Sequence, residues 1–352
     1  MINKVESGNH LPPDKRFYRG GLIDLSEYSL ASAEADSDWD AFIETSPESS
    51  IFAHSAFLKA CGEKLDLLWC LKGKARVAAV VLPLDRASGE PTFDSALIYF
   101  GIFTARPDPK QNPAQIRSDR FALLAFLDEE LSERHPRLKL RLPPGIDDIR
   151  PFLWHNYGQD GPKFRTDVRY TSIVPVASLV QAADEQATPL YLGMSKSRRQ
   201  TLRYARKDNC ATTERHDPDL YERLQQETFA RQNLTIVPEE LAQRVAIINS
   251  LHAAGLSRSF ACAGADGEIE VVAIFAHLGK RAWYLFGAGN SERHDSHAGT
   301  AVLWDAFAAL AAAGIEEIDL EGVNSPARGY FKLSFGGSLT PYFALSLEDG
   351  AR

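Results

Sequence analysis

The feature that most constrains this chain is an order of segments that occurs twice. In the first half, LDLLWCLKG, KARVAAVVLPL and DSALIYFGIF read as three successive strands, rich in β-branched and aromatic residues, with a tight Lys72-Gly73-Lys74 turn between the first two. A polar loop over residues 106–115 leads to the helix FALLAFLDEELSE, the strand RLKLRLP and a further strand, VRYTSIVPV. In the second half the strands are LSRSFACAG, IEVVAIFAHL and RAWYLFGAG, with turns at Ala265-Asp266-Gly267 and Gly279-Lys280. The loop NSERHDSHAG follows, then the long helix TAVLWDAFAALAAAG, stopped by Gly314, and the strand IEEIDLEG.

Helices open each half: Asp36–Ile43 and His54–Gly62 in the first, Asp219–Arg231 and Pro238–Ala254 in the second. Tyr99-Phe100-Gly101 takes the place that Leu285-Phe286-Gly287 takes later. A period of roughly 180–190 residues is too long for a solenoid and points to a duplicated domain. The expected class is therefore α/β, built from two similar units, each a sheet flanked by helices. A chain of 352 residues also exceeds the size at which one core keeps growing.

The boundaries expected from this order are a flexible leader over 1–25, a first domain over 26–176 ending near Pro175, and a second over 177–352. No apolar run approaches the roughly 20 residues of a membrane helix, and the polar start lacks the apolar stretch of a signal peptide, so a cytoplasmic protein is expected. Cys61, Cys70, Cys210 and Cys262 fall at no metal spacing and read as free thiols. His294 and His297 lack an evident third ligand, so no metal is expected. The chain has no GxSxG, GxGxxG or phosphate-loop signature.

Two stretches carry candidate chemistry. The first runs from Asp319 to Gly337. A strand ends at Gly322, a Gly/Pro-punctuated loop follows, and Lys332 stands between Phe331 and Phe335 just before Gly336-Gly337. A partly desolvated lysine there can hold a developing oxyanion or a phosphate; the alternative is a solvated lysine whose stem covers two core rings. Asp319 and Glu321, two apart on a strand, share a face, and either can serve as a base if burial raises its pKa.

The second stretch is KSRRQTLRYARK, read as a helix with Met194, Leu202 and Ala205 on its apolar side. Arg199, Arg203 and Arg206 line another face, with Arg198 and Lys207 adjoining. Six cations in twelve residues, in a chain of net charge −8, make either a concentrated anion site suited to phosphate or a solvated face.

The basic helix, the run GTAVLWDAFAALAAAGIEEIDLEG and the ending GYFKLSFGG together resemble the Fem-type peptidyltransferases and their CelD-like relatives in the GNAT superfamily. The opening DWDAFIETSPESSIFAHSAFLKAC is similar to the start of that family's first domain, so the resemblance spans most of residues 36–345. It implies two tandem GNAT-like domains, each a mixed, mostly antiparallel sheet flanked by helices, with the chemistry in the second. It further implies transfer of an aminoacyl group from aminoacyl-tRNA, or of an acyl group from CoA, onto an amine. By motif position Lys332 looks like the family's lysine near the reacting ester. Arg198, Arg199, Arg203, Arg206 and Lys207 look like its phosphate-contacting helix, and Tyr330 and Gly336 fall within the same substrate-binding motif.

The chain departs from the family pattern where Glu321 stands in place of a second glycine, and the inserted helical arm of peptidoglycan members is missing. The stretch before the long helix, Arg293 to Thr300, has one glycine rather than a full pyrophosphate-binding pattern. That favours an aminoacyl-tRNA donor, or a CoA bound differently, while the acidic net charge weighs against tRNA. The expected reaction is aminolysis of an activated ester or thioester with no tightly bound cofactor. The acceptor is a small-molecule, sugar or peptide amine, and the acceptor end of a tRNA is a possible partner. The other readings are an acetyl-CoA-dependent N-acetyltransferase on an amino sugar or small metabolite, and a non-catalytic binding module of the same fold.

Overall fold

The structure is a computed structural model that describes residues 23–180, 182–231, 236–290 and 297–349. The leader expected over 1–25 lies outside the described residues up to residue 22, as does His294. The first half contains β1 (Tyr28–Ser32), α1 (Ser37–Thr45), α2 (Ser55–Ala60), β2 (Lys64–Lys72), β3 (Ala75–Leu84), β4 (Gly101–Thr104), α3 (Pro113–Arg134), β5 (Lys139–Arg141), α4 (Arg150–Leu153) and β6 (Lys163–Pro175). The second contains α5 (Pro189–Gly193), α6 (Lys196–Lys207), β7 (Ala211–Glu214), α7 (Pro218–Arg231), α8 (Pro238–Ala253), β8 (Ser257–Ala263), β9 (Ile269–Leu278), β10 (Arg281–Gly289), α9 (Ala298–Ala312), β11 (Glu317–Gly322), α10 (Pro326–Leu333) and β12 (Ser338–Glu348).

Local signals in the sequence set many of these boundaries. The Asp36 carboxylate caps α1 by accepting the Trp39 N–H at 2.9 Å, and the buried Trp39 indole N–H donates to the Ala53 carbonyl at 2.7 Å. Asn112 and Gln115 close a reciprocal capping box on α3, with Pro113 in its first turn. The expected strand over 94–103 shrinks to β4. Ser95 Oγ takes the Leu97 N–H, and Leu97, Tyr99 and Phe100 turn into the core shared with the second half, so only Gly101 onward pairs with β3. The loop expected around Lys332 is instead the helix α10, started by Pro326.

Among the described residues the strands form two sheets. One has the order β1-β2-β3-β4; the other is eight-stranded, in the order β5-β12-β6-β11-β10-β9-β8-β7. The two halves are interleaved at their last strands: β6 pairs with β11 and β12, while β12 pairs with β6 and β5. The architecture is α/β, with mostly antiparallel pairing and helices on both faces.

The pair that positions the site is β10 and β11, which are parallel. Parallel neighbours need a crossover, and α9 supplies it, buried almost all round and packed with Ala282, Ile318 and Leu320. The opposite face of these strands carries Trp283 and, with Tyr342 of β12, packs against Trp39, Phe52, Phe57 and Tyr99 of the first half.

Candidate active site

Strands β10 and β11 are in register only at Arg281↔Glu317, Ala282↔Ile318 and Trp283↔Asp319, and then they part. Both are irregular where they part. The pairing of β10 with β9 skips Leu285, and the pairing of β11 with β6 skips from Asp319 to Gly322. Such bulges bend a strand and re-aim its side chains, so the wedge between the strands is built into both backbones. Gly287 belongs to the same bend: a Cβ there would collide with the Tyr284 hydroxyl.

Glu321 sits in this wedge with a left-handed backbone, φ +59. A non-glycine residue in that region carries strain of roughly 1–2 kcal/mol. The sequence reading put Asp319 and Glu321 on one strand face; the bulge and the left-handed residue break that alternation. The buried Asp319 carboxylate accepts the Tyr99 hydroxyl at 2.8 Å, the Thr171 hydroxyl, and the Glu321 N–H at 2.7 Å. Glu321 is 7% exposed, and its Oε1 has no hydrogen-bond partner among the described residues.

Lys332 comes from α10, partly buried. Its ammonium donates to the Gly322 carbonyl at 3.4 Å and lies 5.7 Å from the centre of the Tyr284 ring. Burial pushes the Glu321 carboxyl well above the usual carboxylate range; the positive charge of Lys332 pulls it back and the negative charge of Asp319 adds to the rise. Burial pushes the Lys332 ammonium down, against the attraction of Glu321 and Asp319. An acid pushed up near a base pushed down is the kind of paired environment that separates acid and base roles in a site. Asp319 is also raised by burial, opposed by its Thr171, Tyr99 and backbone hydrogen bonds.

The basic stretch forms α6, capped by Ser195, with Met194, Leu202 and Ala205 buried as its periodicity requires. Its cations divide into two groups. Arg198 turns inward: its guanidinium donates to Ser334 Oγ at 2.8 Å and to Thr300 Oγ1, and lies 4.4 Å and 4.9 Å from the ring centres of Phe331 and Phe335. It joins α6, the first turn of α9 and the end of α10. Arg206 is engaged with Asp305 at 2.6 Å and with Glu185 at 3.3 Å. Arg203 and Lys207 are exposed and Arg199 is half-buried.

Tyr330 stands 72% exposed on α10. Gly336 holds φ +83 where a Cβ would come within 2.9 Å of the Gly193 backbone, and its N–H donates to the Leu333 carbonyl at 3.1 Å, closing the end of α10. The structure thus brings Asp319, Glu321 and Lys332 together and ties Arg198 to the same helix as Lys332. Tyr330 and Gly336 do not enter the wedge.

Tyr99, Thr171 and Tyr284 adjoin the site without having been singled out from the sequence. Tyr99 is the first residue of the repeated aromatic-glycine motif and Tyr284 directly precedes its second copy, which is the available signal; Asp319, the partner of Tyr99, is 220 residues away.

Residues 195–341 match a family model described as "Acetyltransferase (GNAT) domain". The chain is similar in fold to FemX, at 15% identity and a TM-score of 0.63, over 90% of this chain and 96% of that one. It is also similar to a conserved protein of unknown function from Bacteroides thetaiotaomicron, at 12% identity and a TM-score of 0.57, over 91% and 99%. A third similarity is to the C-terminal domain of a putative lysylphosphatidylglycerol synthetase from Agrobacterium fabrum, at 12% identity and a TM-score of 0.51, over 89% and 92%. No curated protein matches the sequence. The wedge between β10 and β11 therefore lies within the residues, 195–341, that match the GNAT acetyltransferase-domain model, in a chain similar in fold to FemX.

Proposed function

We propose that this chain is an N-acyltransferase that moves an acyl or aminoacyl group from a phosphate-bearing carrier onto an amine, in the wedge between β10 and β11. The observation that carries this reading is the buried Glu321 oxygen, without a hydrogen-bond partner among the described residues and within electrostatic reach of the Lys332 ammonium, where two parallel strands part. A carboxylate held in a strained backbone without a full set of partners is expensive to keep, and such sites tend to be functional.

In the reaction the amine nitrogen attacks the donor's carbonyl carbon, forming the C–N bond. Glu321, as carboxylate, takes the proton that the nitrogen gives up. The carbonyl oxygen becomes an oxyanion, held by the Lys332 ammonium; the Gly336 N–H, spent inside its own turn, is not needed. The tetrahedral centre then collapses, the C–S or C–O bond to the carrier breaks, and the leaving sulfur or oxygen accepts the proton from Glu321. Removing one oxyanion donor typically costs about 10²–10³ in rate.

The carrier's phosphates would meet α6, where Arg199, Arg203 and Lys207 are the cations with surface to offer, while Arg198 holds the helix against α9 and α10. Both thioesters of CoA and esters of tRNA carry phosphate, and the basic helix serves either. The test is single-turnover amide formation with a panel of acyl-CoA thioesters and aminoacyl-tRNAs against primary amines. Transfer should appear with one carrier class and fall about 10²–10³-fold in Lys332→Met. Equal single-turnover rates in Lys332→Met and the native protein would remove Lys332 from the chemistry.

A further inference from the structure

We infer that Tyr99 of the first half is a positioning residue for the second half's reaction, acting through Asp319, which holds the Glu321 backbone in the conformation that aims its carboxylate. This rests on the proposed role of Glu321. The chain of contacts is short and buried throughout. The Tyr99 hydroxyl donates to Asp319 Oδ2 at 2.8 Å across 220 residues of sequence, and Asp319 Oδ1 accepts both the Thr171 hydroxyl and the Glu321 N–H. Tyr99 is 1% exposed, Thr171 0% and Asp319 2%.

The left-handed backbone of Glu321 does not hold itself, because a non-glycine residue relaxes out of that region unless its neighbours over-determine it. Here the over-determination has an identifiable source. The Glu321 N–H is fixed by a carboxylate that is itself fixed from two sides, by β6 through Thr171 and by the segment before β4 through Tyr99. The Tyr99 ring is in turn wedged edge-on against Phe52, with centroids 5.7 Å apart, and against Tyr342, at 5.2 Å. An Asp319 without the Tyr99 hydroxyl can swing, and the Glu321 N–H goes with it. Asp319 spends three acceptor positions on these hydrogen bonds, and the role inferred for it is geometric.

The experiment is a double-mutant cycle read in single-turnover transfer, joined to hydrogen exchange at the Glu321 amide. Tyr99→Phe should lower the transfer rate about tenfold with donor KM unchanged, and should speed exchange of the Glu321 amide. Thr171→Val, nearly the same shape, should do the same from the other side. In a Glu321→Gln background neither substitution should lower the rate further, because the group they aim is gone. A tenfold loss that persists in that background, or a Glu321 amide whose exchange ignores both substitutions, would overturn the inference. Full activity in Glu321→Gln, with the amide still responding to Tyr99→Phe, would leave the mechanical link standing and would refute the role proposed for Glu321 instead.

Discussion

Glu321 is where the physical conflict in this molecule concentrates. Its backbone occupies the region that glycine prefers, its carboxyl is buried, and one oxygen is unpartnered. Glu321→Gly should therefore stabilise the fold by about 1 kcal/mol through relief of left-handed strain, while abolishing transfer. A thermal melt alongside a transfer assay checks both halves of that statement. The pH dependence follows from the groups that face Glu321: Lys332 from α10, Asp319 from its own strand and Tyr284 from β10. Burial raises its folded pKa above the unfolded value, so its contribution to stability is complete in acid and is lost as pH rises through the folded pKa. Glu321→Gln should accordingly gain thermal stability over the native protein as pH rises, read as a melting-temperature difference that widens from acid to alkaline pH. The same substitution should erase the acidic limb of the kcat/KM profile, which the raised Glu321 carboxyl predicts to fall above the ordinary glutamate range. The sequence made Glu321 visible as a departure from a glycine, and Lys332 as an aromatic-flanked cation. It could not show that the glycine-like backbone persists beneath the glutamate, because φ is set by the bulge and by Asp319.

At the scale of elements, α6 shows how one run of charge divides into two tasks. Periodicity alone placed Leu202 and Ala205 inward and arginines outward, and the helix follows it. It did not separate Arg198, whose stacking on Phe331 and Phe335 depends on α10 arriving from more than 120 residues away. Arg199→Ala with Arg203→Ala should raise the donor KM severalfold or more with the melting temperature within a degree or two, because cations that keep their charge at the surface contribute little to stability. Arg198→Ala should lower the melting temperature, since it removes a stacked, doubly hydrogen-bonded guanidinium joining three helices. Measuring KM and melting temperature together separates the two kinds of arginine. Pro and Gly punctuation suggests a loop over α10; Pro326 instead starts the helix, and Gly329 lets it approach the chain before it, because a Cβ there would collide with the Val323 carbonyl oxygen.

Across the whole molecule, the repeated order of strands and helices was legible because each element carries its own periodicity and stop signals. The interleaving of the halves was not, because β6 and β12 choose their partners by non-local pairing that leaves no mark in either strand. That pairing has a consequence for stability. A fragment over 177–352 lacks β6, the 13-residue strand that lies between β11 and β12. It should fail to fold alone, giving no cooperative melt, whereas the full chain should unfold with the two halves coupled.

The most direct test of the account is the single-turnover rate of amide formation, measured from acid to alkaline pH with the carrier class that supports transfer, in the native protein, Glu321→Gln and Lys332→Met. The account predicts losses of about 10²–10³ in both variants, with donor affinity retained and the acidic limb absent from Glu321→Gln. Native rates and an unchanged pH profile in both variants would contradict it.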